Sequence, residues 1–289
     1  MTKVRNLYHN GTKQVYAYYA PIIERTHKLQ LNEANNYWAY LDNLLIGQLI
    51  CASNSKIILD LGCYSGVMPL LVEDIIIQNA SGHETNLEWI LVDNFSYMKY
   101  IKRRINTSNL DLLSKGWDSI KSIFPWAENL EIPPTNPTEL RDFLTAMNAQ
   151  VAAPLPKMKI YESLLEVTQI IDLASFDLQA DDFDGNLKAL EYVNSILRDG
   201  GIIVMDDVKT MHPNQMALFI TIVNSDMGLH PMAFGRGKVA LIKSSLETLD
   251  EKKQAIFKNL VTAFDEPVFN WNIFHNPVFG ECIGLHFAR

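Results

Sequence analysis

Short apolar runs alternate with stretches of helical periodicity along most of this chain. Residues 57–59 form a β-branched apolar run that predicts a buried strand, and 67–77 predict the helix after it. A second strand is expected at 87–93, a short helix at 96–105 and a strand at 158–162. Residues 170–180 are strand-like, chiefly around 176–180. A helix over about 184–197 places Leu187, Leu190, Val193 and Leu197 on one face, and Gly200-Gly201 is expected to stop it. Residues 202–207 read as another buried strand and 214–224 as a helix. Residues 232–234 and 238–243 then predict a hairpin around Gly235-Arg236-Gly237. The tail predicts a helix at 251–264 and a last strand at 284–287. Strands that alternate with helices imply an α/β fold with a doubly wound, mostly parallel sheet.

Two regions depart from this alternation. Residues 1–55 read as helical and carry Tyr8, Tyr16, Tyr18, Tyr19, Trp38 and Tyr40. Within them, Trp38, Leu41, Leu44, Leu45 and Leu49 recur at helical spacing. The segment either packs against the sheet edge or lays Tyr16 to Tyr19 over a ligand as a lid. Residues 106–156 hold Trp117, Phe124, Trp126, Phe143 and a group of prolines, with a capped helix expected at 138–150. This is long for a connection within an α/β sheet, so it reads as an insertion near the site and a candidate substrate cover. The chain thus divides into 1–55 and a main domain of 56–289 with a helical insertion at about 106–156.

Composition narrows the classes. The 289 residues carry 25 Lys+Arg against 33 Asp+Glu, a formal net charge of −8. A nucleic-acid binder would show a basic surplus or stripe. The 99–104 cluster reads better as the solvated face of a helix. Cys51, Cys63 and Cys282 share no metal or disulfide spacing, which suits a reduced intracellular protein. No apolar run approaches a membrane span, and the N-terminus lacks a signal-peptide core. The expectation is a cytoplasmic protein acting on a small molecule, without nucleic acid or membrane as partner; a homodimer is left open.

The chemistry gathers at strand ends. Asp60 and Gly62 close the first strand, and Ser65-Gly66 open the next helix. Such a turn aims backbone N–H groups at a small ligand. Asp93 ends the second strand, where a carboxylate can accept from both ribose hydroxyls or simply cap the next helix. Asp60, Asp93, Asp181 or Asp182, Asp206 and Asp207 would then share the carboxyl edge of the sheet, where such sheets bind ligands. Only Cys63-Tyr64-Ser65 separates Gly62 from Gly66, so the dinucleotide G-x-G-x-x-G pattern is absent. There is no G-x-x-x-x-G-K-[ST] phosphate loop either.

The stretch Leu59-Asp-Leu-Gly-Cys-Tyr-Ser-Gly66 resembles motif I of class I S-adenosylmethionine-dependent methyltransferases. The resemblance implies a Rossmann-like, seven-stranded sheet and S-adenosylmethionine as cofactor. It sets Gly62, Cys63, Tyr64, Ser65 and Gly66 around the methionine moiety, Asp60 at its amino group, Asp93 at the ribose, and Asn94 and Phe95 beside the adenine. The stretch 197–207 is similar to the penultimate-strand region of divalent-cation-dependent O-methyltransferases. That implies Mg2+ on Asp206, Asp207 and a third carboxylate, Asp181, with Asp182, Asp184 or Asp177 as alternatives. Such an ion would lower the pKa of the hydroxyl to be methylated. The other reading has strand-end carboxylates that cap helices or touch substrate directly. His212 is the candidate base, with Lys209 as an alternative, or else a surface loop histidine before Pro213. The expected activity is O-methylation of a small molecule. Cyclisation or lyase chemistry on the same cofactor, and a non-catalytic binding protein of this fold, are the alternatives.

Overall fold

Five parallel strands build the centre of the sheet: β1 (Ile57–Leu61), β2 (Glu88–Val92), β3 (Lys157–Tyr161), β4 (Ile171–Phe176) and β5 (Leu197–Met205). The computed structural model describes residues 36–63, 66, 68–80, 86–96, 99, 134–151, 155–179, 182–208, 212–235, 238–263 and 269–287. The tyrosines at 8–19, residues 106–133 of the insertion and Lys209 lie outside them.

Strand alternation sorts the apolar side chains into two layers. Ile58, Trp89, Leu91, Leu173, Ile202 and Val204 join one core cluster; Leu59, Ile90, Val92, Ala174, Ile203 and Met205 join the other. The first cluster is completed by α1 (Asn36–Ser53), α2 (Met68–Asn79) and α3 (Pro137–Val151), through residues such as Leu49, Val72 and Leu140. The second is completed by α4 (Phe183–Ile196) and α5 (Pro213–Val223), through Leu190, Val193, Leu218 and Ile222. A sheet apolar on both faces needs helices on both faces, which is why the strands read as continuous apolar runs. α1 carries Leu45, Ile46, Leu49 and Ile50 into the core, all at most 6% exposed.

The described strands form one nine-stranded sheet in the order β3-β2-β1-β4-β5-β7-β6-β9-β8. Two antiparallel hairpins extend the parallel centre: β6 (Leu229–Gly235) with β7 (Lys238–Lys243), and β8 (Phe269–Asn276) with β9 (Gly280–Phe287). The first is the hairpin expected around Gly235 to Gly237. The second corrects the expectation of seven strands. It pairs along its whole length, from Phe269 with Phe287 to Asn276 with Gly280, and β9 then joins β6. α6 (Leu249–Thr262) precedes it and holds its turn: the buried Lys253 donates from Nζ to the carbonyls of Phe279 and Glu281, both at 3.0 Å.

Two further expectations change. β4 ends at Phe176, not near Ala180, because its partners end there: Phe176 pairs with Leu61 and with Met205. Gly200-Gly201 do not cap a helix. α4 ends at Ile196 with Leu197 extended, and both glycines lie in β5, Gly200 at φ +74°, where the β4–β5 register shifts. That shift is the local kink a bulge imposes on a strand.

The end of the sheet opposite the candidate site is pinned by one carboxylate. Asp172 accepts from the backbone N–H groups of Lys56 and Ile57 at 2.7 and 2.8 Å, and pairs with Arg198 Nε at 2.6 Å. This fixes where β1 begins relative to β4 and β5, and hence where all three end.

Candidate functional site

The ladder of the parallel strands runs one residue past their ends. Gly62 N–H donates to Val92 O at 2.9 Å, Asp177 N–H to Leu61 O at 3.0 Å, and Asp206 N–H to Phe176 O at 3.0 Å. Asp93 N–H reaches Tyr161 O at 3.3 Å. Asp93, Gly62, Asp177 and Asp206 therefore lie side by side along the carboxyl edge. The chain leaves β1 for β2 on one side and later fills β4 on the other, so Gly62 sits where the strand order reverses. Doubly wound sheets hold their ligands at that point.

Gly62 must be glycine. It adopts φ +82°, and a Cβ there would lie 1.7 Å from the carbonyl oxygen of Asp177. Gly66 closes the turn, with its N–H on Cys63 O at 2.7 Å and φ +65°. A Cβ on Gly66 would meet Leu144, Leu140 and Leu91 at 3.1–3.3 Å, so α3 of the insertion packs directly on the glycine turn. Cys63 is buried, and burial, with Asp60 and Asp93 behind it, holds its thiol well above the usual range. It offers backbone, not a reactive thiolate. Tyr64 and Ser65 lie outside the described residues.

Asp60 faces the same layer as Ile58 and is 3% exposed. Burial pushes its carboxyl up to about 7; Asp177 and Asp93 add to the rise, and Lys238 opposes it. An acid held this way is poised to ionise when a cation binds beside it. The shift also makes stability depend on pH. Folded Asp60 holds its proton more tightly than the unfolded side chain, so its contribution is complete below about pH 4 and is lost as pH rises through about 7. The melting temperature of the ligand-free protein should fall between pH 5 and pH 8. Asp60→Asn should flatten that fall by an amount on the order of a few kcal/mol; an unchanged slope would show that Asp60 does not titrate in this range.

Asp93 shapes the second loop. Its Oδ1 accepts from Phe95 N–H at 2.7 Å, and Phe95 takes φ +55° with its ring fully buried in the core. Asn94 is exposed; its Oδ1 accepts from Ser96 N–H at 2.9 Å, and its carbonyl accepts from Lys99 Nζ at 3.1 Å. Phe95 therefore supports the loop from beneath, whereas Asp93 and Asn94 present polar atoms above it.

The β5 end holds two carboxylates of the expected acidic trio, Asp206 and Asp207. Asp207 takes φ +56°, and its N–H donates to Asp206 Oδ1 at 2.6 Å. The other oxygen, Asp206 Oδ2, is ion-paired with Lys238 Nζ. Asp182 is the N-cap of α4 and accepts from Gly185 N–H at 3.0 Å. Asp181 lies outside the described residues. Among the described residues, no group of three or more His, Cys, Asp or Glu could hold a metal ion. Of the described donors, Asp206 has both oxygens engaged, one of them by an ammonium. His212 does come to this corner, with Nε2 3.7 Å from Asp207 Oδ1 and both side chains one-third exposed. That is beyond a hydrogen bond but within reach of one after a small movement.

One residue of the edge, Lys238, escaped the sequence, and another, Asp177, stood there only as an alternative carboxylate. Asp177 is level with Asp206, which only the true end of β4 reveals. Lys238 begins β7, and a lysine before Val239-Ala-Leu-Ile reads as solvent-facing until β7 is paired with β5.

No family model and no curated protein matches the chain. Among solved structures it is similar to the O-methyltransferase NovP, with 12% identity and a TM-score of 0.44 over 72% of this chain and 80% of that one. It is also similar to an O-methyltransferase family protein from Burkholderia thailandensis, with 11% identity, a TM-score of 0.41, and coverage of 75% of this chain but only 61% of that one. A third is the O-methyltransferase TomG from Streptomyces achromogenes in complex with SAM, with 10% identity and a TM-score of 0.40 over 70% and 80% of the two chains. At such identities and TM-scores, function has to be argued from this chain's own residues. No described helix is long and apolar enough to cross a membrane.

Proposed function

We propose that this chain is an S-adenosylmethionine-dependent methyltransferase acting on a hydroxyl of a small molecule. The observation that carries it is the juxtaposition of Gly62 and Asp93 at the strand-order switch, with the buried Asp60 behind them. Gly62, at φ +82°, lets the chain turn at this edge with Asp177 O standing where a Cβ would be. Asp60 would hold the cofactor's ammonium, which its raised pKa leaves room for, and Asp93 would accept from the ribose hydroxyls. Asn94 would flank the adenine, with Phe95 fixing the loop from the core. Gly62 to Gly66 would line the methionine part.

S-adenosylmethionine supplies a methyl group on a sulfonium that an oxygen nucleophile can alkylate itself with, so the protein's work is alignment and deprotonation. The acceptor enters at the β5 end. There His212, with Nε2 toward Asp207, would take the hydroxyl proton on its other ring nitrogen, Nδ1, and pass a proton to solvent. No step is assigned to a divalent ion. The net charge of −8 favours a small acceptor over nucleic acid. The proposal keeps the sequence-based expectation of a cytoplasmic protein.

Incubation with S-adenosylmethionine and a panel of hydroxylated acceptors, followed by mass spectrometry, tests the reaction. S-adenosylhomocysteine together with an acceptor heavier by one methyl supports it. Methylthioadenosine would point to cyclisation or lyase chemistry, and neither product to a binding protein.

A further inference from the structure

Lys238 stands out among the buried charges of this molecule. It opens β7, and the pairing of Met205 with Val239 sets it opposite Asp206 at the end of β5. Its side chain is 10% exposed, and its Nζ is ion-paired with Asp206 Oδ2. Asp206 Oδ1 is held in turn by Asp207 N–H at 2.6 Å, so the carboxylate is oriented from both sides. Lys238 also acts on Asp60, where it opposes the carboxylates of Asp177 and Asp93. One strand thus delivers a cation into a row of acids, and the antiparallel register of β5 and β7 fixes it there. A buried lysine is costly to keep charged unless it is paired, and here it is paired.

We propose that the Lys238 ammonium is the resident cation of this corner and stands where a divalent ion would bind. This rests on the reading of the corner as the acceptor end of a methyltransferase site. Mg2+ asks for about six oxygens in near-octahedral array. An ammonium brings no open coordination positions, only N–H donors on a flexible stem. Lys238 can therefore hold one acceptor oxygen by a charge-assisted hydrogen bond, but it cannot chelate two. It also repels a dication from Asp206 and Asp207. The acceptor need not carry a vicinal diol, and turnover needs no added divalent metal.

Mn2+ is the probe for the test, followed by its paramagnetic resonance signal, on the full chain as wild type, Lys238→Met and Lys238→Arg. Wild type and Lys238→Arg should bind Mn2+ no tighter than millimolar. Lys238→Met, which uncovers the carboxylates, should bind it at least about tenfold more tightly. Should Lys238→Met not fold, as judged by circular dichroism, Lys238→Gln takes its place with the same expectation. Tight Mn2+ binding by wild type would overturn the proposal, and so would a folded neutral variant with no gain. S-adenosylhomocysteine is titrated into the same samples. If it does not bind while the Mn2+ pattern holds, the cofactor reading fails and the assignment of Lys238 stands.

Discussion

Gly62→Ala should remove cofactor binding and cost the protein at least about 3 kcal/mol of stability. Two effects add. The left-handed backbone at φ +82° costs a residue with a Cβ roughly 1–2 kcal/mol. The new Cβ would also sit 1.7 Å from Asp177 O, a backbone atom fixed by the ladder of β1 and β4, so one strand end must move. The midpoint of thermal unfolding should drop by roughly 5–10 °C. The same exchange at Gly280 is the control. Gly280 also has positive φ, +69°, but a Cβ there meets nothing within 4 Å. Gly280→Ala should cost only about 1 kcal/mol of strain and leave ligand binding untouched. Equal losses at both sites would mean that close approach at Gly62 plays no part.

Asp93→Ala should weaken S-adenosylhomocysteine binding by about 2–3 kcal/mol, roughly 30- to 150-fold in Kd. The variant loses the acceptor proposed for the ribose and also the hydrogen bond to Phe95 N–H at 2.7 Å. Asp93→Asn separates the two losses. Its amide oxygen can still hold Phe95, but only one oxygen remains and the charge is gone, so about a tenfold loss is expected. Calorimetry checks both, and the order wild type, Asn, Ala is the signature. Indifference to either exchange would remove Asp93 from the site.

The inner strands were legible because burial on both faces leaves continuous apolar runs such as Ile57 to Leu59 and Ile202 to Met205. Asp60, Gly62 and Asp93 were legible for a related reason: each follows or ends such a run. Where burial is weaker, the sequence misleads. Leu178 and Ala180 continue the alternation beyond Phe176, but β1 and β5 end at the level of Phe176, so nothing there remains to pair with. β8 does alternate, with Phe269, Trp271 and Ile273 against Asn270 and Asn272, yet Ile273 is half exposed. Pairing with β9, rather than a buried face, makes it a strand. Gly200-Gly201 have the composition of a helix stop, and only the neighbouring strand shows them to be part of β5. The partner of Asp206 was hidden for a further reason. Residues 206 and 238 are brought together by a hairpin that returns antiparallel, a contact no local pattern encodes.

Calorimetric titration of the wild-type protein with S-adenosylhomocysteine, and separately with NAD+, tests the account at its centre. One equivalent of S-adenosylhomocysteine should bind with a micromolar Kd, and NAD+ should give no heat of binding. Absence of S-adenosylhomocysteine binding by folded protein, or preference for NAD+, would contradict the assignment of the edge from Asp60 to Gly66 and Asp93.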